Sequence, residues 1–156
     1  VRTTGADVLA LETTRFRHAL MVLDFEGCGQ ERDAPLVIEA QLDQQLQNVW
    51  NANAKAIVIS PEVDVWLWGN DAVLRDALHW PQNGTIRDWL RGRGFEFNID
   101  GKPLRPKEAL DAMRPVHKQA RSSAMYEKVT QRISWQNCSD AAVVRLRTQL
   151  QAWFPA

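Results

Sequence analysis

Cysteine is scarce in this chain of 156 residues, with only Cys28 and Cys138 present. Two such distant residues build neither a disulfide framework nor a zinc knuckle, and a reducing, cytoplasmic setting is the expectation. Long apolar runs are lacking too. No stretch approaches the roughly 20 residues of a membrane-spanning helix, so no membrane partner is expected. The opening VRTTGADVLA lacks the charged-then-apolar order of a secretory signal and an initiating Met, which reads as a processed chain or a piece of a longer one. There is no excess of charge of either sign. Lys plus Arg and Asp plus Glu number 19 each, so no global positive field favours nucleic acid and any such binding has to be local. Phosphate-cradling G-x-x-x-x-G-K-[ST] and G-x-G-x-x-G loops are missing, which removes the usual nucleotide motifs. His18, His79 and His117 are dispersed without ligand spacing, and no Ser, His and acid set is readable.

What is present is enough for one compact domain, with 45% of the residues hydrophobic. Tryptophan is abundant at seven residues. Trp50, Trp66, Trp68, Trp80, Trp89 and Trp153 fall in helical patterns among Leu and Val, and they read as core or interface rather than as base-stacking platforms.

The pattern along the chain alternates. Residues 7–16 suit a short helix. Residues 19–23 form an apolar run ending at Asp24, as in a strand of a parallel sheet, and the glycine-bearing DFEGCGQERDAP that follows reads as a loop. Between residues 36 and 51, Ile38, Leu42, Leu46, Val49 and Trp50 recur at helical spacing among polar residues. KAIVIS at residues 55–60 is a second strand, and helix-compatible PEVDVW follows it. Strand, loop, helix, strand is a parallel α/β unit. Helices are expected beyond it at 71–79, 85–91, 106–113, 122–133 and 139–153, giving an α/β core over residues 1–70 and a mostly helical extension over 71–156. FEFNIDGKPL reads as a small hairpin or an ordered loop.

Ligands of open α/β sheets sit beyond the carboxyl ends of the strands. Asp24 and Glu26 lie at one such end, and Glu62 and Asp64 at the next. Carboxylates brought together repel unless a cation neutralises them, and oxygen donors of this kind suit Mg²⁺ or Mn²⁺. Such a metal serves phosphodiester chemistry. The plainer alternative is a set of solvated acids, or first-turn acids favoured by a helix dipole. Gly27 and Gly29 leave room for a bulky ligand, and Cys28 between them reads as an inert thiol. RPKEALDAMRPVHKQAR carries Arg105, Lys107, Arg114, Lys118 and Arg121, with Tyr126 and Lys128 beyond. This cluster is either a phosphate-receiving face or a solvated one.

LMVLDFEGCG, PEVDVWLWGN, RPKEAL and AMYEKVTQRISW together resemble a bacterial domain-of-unknown-function family with a Toprim-like core. The resemblance runs from Ala19 onward. It implies a three-layer α/β sandwich with a small, mostly parallel sheet, and Mg²⁺-dependent phosphodiester processing in a defence or mobile-element system. It places Asp24 and Glu26 at an acidic D-x-D position and Glu62, Asp64 and Trp66 on an E-x-E-x-W segment. Lys107, Tyr126 and Lys128 match later basic positions, with Lys107 and Lys128 holding phosphate. The first-strand glutamate of such cores has no counterpart here, so it is expected upstream of Val1. The alternative within the same resemblance is a catalytically inactive module that binds a protein partner through its Trp-rich helices.

Overall fold

The computed structural model describes residues 2–118 and 121–155. The fold is α/β and divides into two compact units, one of Val1–Glu62 with Ser139–Ala156 and the other of Val63–Cys138.

The first unit holds the sheet. β1 (Ala19–Asp24) and β2 (Ala54–Ile59) run parallel, in register from Ala19 opposite Ala54 to Asp24 opposite Ile59, and they are the sheet's two strands among the described residues. α2 (Pro35–Trp50) joins them, with its proline in the first turn, where no hydrogen bond is lost. Ile38, Leu42, Leu46 and Trp50 recur every four residues along α2. That spacing makes one stripe, which is buried against Ala19, Ala54, Ala56 and Val58 on a single face of the sheet. Burying each such side chain contributes about 1.5–3 kcal/mol. α1 (Arg2–Ala10) sends Ala6 and Leu9 to the same cluster.

α1 lies earlier than the helix read at residues 7–16. Val8, Leu11 and Phe16 are exposed, so no apolar face continues past Ala10, and single turns replace the helix there.

Two parallel strands leave an outer edge on each, and that of β2 is met by side chains. In a parallel ladder both backbone groups of a residue point to the same side. Phe25 N–H donates to the Ile59 carbonyl at 2.7 Å, so the groups of Ala56 and Val58 point away from β1. Side chains of α2 meet them there. Asp43 Oδ1 accepts from Ala56 N–H at 2.7 Å, and Glu39 Oε2 accepts from Val58 N–H at 3.0 Å.

α7 (Ala141–Trp153) completes the seal. Asp140 caps its start through Ala142 and Val143 N–H, and Arg145 donates from Nη2 to the Val58 carbonyl at 3.1 Å. The same guanidinium forks onto Glu39, Nε to Oε1 at 3.0 Å and Nη2 to Oε2 at 3.0 Å. Lys55 pairs with Asp43 and stands 3.6 Å from Glu39. Glu39 is only 4% exposed, so this is a buried charge with a full set of partners. The network draws α7 into the sheet unit, although the sequence pattern groups that helix with the helical extension.

The second unit is helical. A 3₁₀ segment (Val63–Gly69) leads to α3 (Asp71–Ala77), α4 (Ile86–Arg91), α5 (Pro106–His117) and α6 (Ser123–Thr130). Asn70, Thr85 and Ser122 cap α3, α4 and α6 through side-chain oxygens, each meeting an N–H that the helix itself leaves unpaired. Trp68, Leu74, Leu78, Ile86, Leu90, Met113 and Val129 fill its core. Between α4 and α5 the chain forms a small hairpin. Phe97 bridges Pro103, and Gly101 takes the positive φ of 71° that the turn requires.

No helix among the described residues is long and apolar enough to cross a membrane. Trp50, Trp68 and Trp80 are buried, matching their reading as core, whereas Trp135 is exposed.

Candidate functional site

The carboxyl ends of β1 and β2 bring three of the predicted acids to one region of the sheet unit. Asp24 is the last residue of β1. Beyond it the two chain segments stay side by side, because Glu26 N–H donates to the Pro61 carbonyl at 2.9 Å. Glu62 therefore follows directly on the residue that holds Glu26. Asp24 is half-buried, Glu26 is exposed and Glu62 is 4% exposed. Asp24 and Glu62 each have interaction partners of their own.

The glycine loop after β1 does something its sequence does not announce. Gly27 and Gly29 both take φ of 80°, and an added Cβ at either would meet open space, so it is backbone conformation that calls for glycine here. Their N–H groups converge on Glu31 Oε1 at 2.8 and 3.2 Å. Glu31's own backbone N–H, then those of Gly29 and Gly27, hold its carboxyl below the ordinary range. The alternation of glycines with an acid two residues on is the signal that could have marked this closed loop. Cys28 between them is free and half-buried against the sheet core.

Asp64 belongs to the helical unit. It is 6% exposed and accepts a 2.6 Å hydrogen bond from the Tyr126 hydroxyl, 62 residues along the chain. The tyrosine is pushed up to about 12, first by burial and then by the hydrogen bond and negative charge of Asp64, against an opposing pull from Arg121. The folded value lies above the unfolded value of about 10. The resulting stabilisation is therefore complete below about pH 10 and is lost as the pH rises toward 12. Tyr126 is the chain's single tyrosine, so tyrosinate absorbance reports it alone. A midpoint near 12 is expected in the native protein. Asp64→Asn should lower it while leaving it above the ordinary value, because burial persists. A native midpoint at the unfolded value would show that the pair does not form.

Lys128 stands at the end of α3. Its ammonium donates to the Asp76 and Ala77 carbonyls at 3.4 and 3.3 Å and lies 3.2 Å from His79 Nε2. A cation there bonds the Ala77 carbonyl, adds to the Asp76 carbonyl that already accepts from His79 N–H, and complements the helix dipole. Lys107 is exposed in the first turn of α5 and has an interaction partner. His18 stacks on Trp153 at 4.8 Å, a packing role, and the side chain of His117 lies outside the described residues.

The donors at the strand ends are carboxylate oxygens, the type that hard divalent cations take. Among the described residues, no group of three or more His, Cys, Asp or Glu side chains is placed to hold a metal ion. No family model, no curated protein and no solved structure matches the chain.

Proposed function

We propose that the protein is a Toprim-like, Mg²⁺- or Mn²⁺-dependent phosphodiester-processing domain of a bacterial defence or mobile-element system, acting in the cytoplasm on nucleic acid. The observation that carries this reading is the backbone adjacency at the carboxyl ends of β1 and β2, where Asp24 ends one strand and Glu26 N–H bonds to the Pro61 carbonyl, one residue before Glu62. Ligands of α/β sheets bind at such ends. Asp24 and Glu26 would be the principal metal ligands, with Glu62 in support. Asp64 and Lys107 enter from the sequence pattern alone. Lys128 would have to leave the α3 carbonyls to meet phosphate. A divalent cation supplies polarisation of the phosphodiester and a more acidic water. The chain's own part is to hold Asp24 and Glu26 at the end of a rigid ladder, with the glycine loop folded back onto Glu31 beside them.

A second reading, a catalytically inactive module that binds protein partners of a defence system, is favoured by the engagement of Asp64 with Tyr126. Calorimetry with Mn²⁺ separates the two. The enzyme reading expects stoichiometric binding that the pair Asp24→Asn and Glu26→Gln abolishes. Absence of binding to the unaltered chain would leave the interaction module.

A further inference from the structure

The balance of charge over the whole chain conceals a local excess. Residues 87–107 hold Arg87, Arg91, Arg93, Lys102, Arg105 and Lys107 against Asp88, Glu96 and Asp100. This segment is α4, the hairpin and the entry to α5, all within the helical unit.

The arginines here lie on aromatic rings. Arg93 sits 3.4 Å from the Trp89 ring centre, Arg91 is 5.0 Å from that of Phe97, and Arg105 is 6.0 Å from that of Phe95. Trp89, Phe95 and Phe97 are half-buried and pack against the core of the unit, so each ring is an anchored platform. A guanidinium laid on such a ring gains cation–π attraction and loses torsional freedom before any ligand arrives. Arg93 Nη1 also donates to the Trp89 carbonyl at 3.4 Å, which leaves the guanidinium with further N–H donors, and a planar fork suits phosphate oxygens. Arg91 is shared with Asp88 at 3.2 Å. Arg93 and Arg105 are exposed and have no carboxylate partner among the described residues. A hollow of about 450 Å³ beside them is lined by Gly94, Phe95, Glu96, Leu104 and Arg105.

The tip of the hairpin is equally unusual. Ile99 is fully exposed, at 101%. The turn beneath it is fixed by Asn98, whose side chain accepts from Lys102 N–H at 2.9 Å and whose backbone N–H donates to the Lys102 carbonyl at 2.8 Å. An apolar side chain held out on an ordered turn, in the same segment as the ring-stacked arginines, has the form of a wedge that enters a base step while arginines hold phosphates.

We infer that α4 and the hairpin form a nucleic-acid-binding element, in which Arg93 and Arg105 grip the backbone and Ile99 inserts between base pairs of a duplex. This inference names the substrate contact for the phosphodiester reading and rests on it, but the binding itself needs no metal.

The test is fluorescence anisotropy of labelled duplex and single-stranded oligonucleotides with the full chain, in chelator, across a range of salt. Because metal is withheld, failure of the metal site and failure of this surface give different results. The unaltered chain is expected to prefer duplex. Arg93→Ala with Arg105→Ala should weaken binding at least about tenfold at low salt and reduce the salt slope by about two, one for each phosphate that is no longer gripped. Ile99→Ser should remove the preference for duplex and keep the salt slope. Should the alanine pair fail to fold, Arg93→Gln with Arg105→Gln retains stem packing and carries the same expectation. Equal binding by the paired variant, no binding by the unaltered chain, or equal displacement by polyglutamate, the mark of an acidic protein surface, would each overturn the inference.

Discussion

Glu39→Ala is expected to lower the free energy of unfolding by about 3–5 kcal/mol, the cost of breaking a buried ion pair from one side. The carboxylate serves three partners, the Val58 N–H, the Arg145 fork and Lys55. Its removal leaves the Val58 N–H without an acceptor on the outer edge of β2, worth about 1–3 kcal/mol, and strips Arg145 of its counter-charge. Glu39→Gln should fall between, since an amide oxygen still accepts from Val58 while the charge is lost. Urea unfolding with an unchanged slope gives the difference directly. Arg145→Met should cost a comparable amount, because it leaves Glu39 charged, buried and reliant on Lys55. A destabilisation by Glu39→Ala no larger than that of an exposed surface pair, below about 1 kcal/mol, would show that the edge is not held by this network. The exposed edge of the variant should also promote association of chains, read as concentration-dependent light scattering.

The same network marks where sequence reading stops. β1, α2 and β2 are legible because their apolar residues follow the periods of strand and helix, and one stripe on α2 can meet only one sheet face. Glu39 and Asp43 each follow a stripe residue and so read as part of the polar face. Yet four residues of helix rise about 6.0 Å, and two residues of strand advance about 6.6 Å. Acids four apart on a helix therefore match alternate N–H groups of a strand beside it, as Asp43 and Glu39 match Ala56 and Val58. With only two apparent strands, an unpaired edge is foreseeable, and that spacing is the available clue. The position of α7 is hidden for a different reason. Its attachment runs through Arg145 to residues 87 and 106 positions away, and no local pattern encodes such a contact.

The candidate site divides in the same way. Asp24, Glu26 and Glu62 are legible as strand-end acids because a strand's end is a local feature. The contact of Asp64 with Tyr126 spans 62 residues, so no local pattern encodes it. Lys128 reads as one cation in a basic run, but its partners, the last carbonyls of α3, are 52 and 51 positions earlier. Glu31 is marked only by the alternating glycines before it, because an acid in a polar loop ordinarily faces water, whereas here two left-handed glycines turn their N–H groups onto it.

On the proposed phosphodiester-processing function, Asp24→Ala is expected to reduce cleavage of plasmid DNA in Mn²⁺ by about 10²–10³-fold, since a divalent ion contributes several kcal/mol to stabilising charge in a phosphodiester transition state. Each step of about 1.36 kcal/mol is a factor of ten in rate, so losing a proposed principal ligand would forfeit at least two such factors. Glu26→Gln should lower the rate in the same direction, and added Mn²⁺ should restore part of it if affinity rather than chemistry is lost. Lys128→Ala provides the contrast. Its ammonium ends α3, so the change should cost stability, of the order of 0.3–1 kcal/mol for a cation at a helix C-terminus, and leave the rate per folded molecule intact. Comparing the variants by nicking rate and by thermal unfolding separates ligand from cap, since the two substitutions should move opposite readouts. Cleavage by Asp24→Ala equal to that of the unaltered chain would remove Asp24 from the mechanism. An unaltered chain that neither cleaves nor binds Mn²⁺ would leave the strand-end acids as part of an interaction module, in which the same rigid ladder presents a surface rather than a reaction centre.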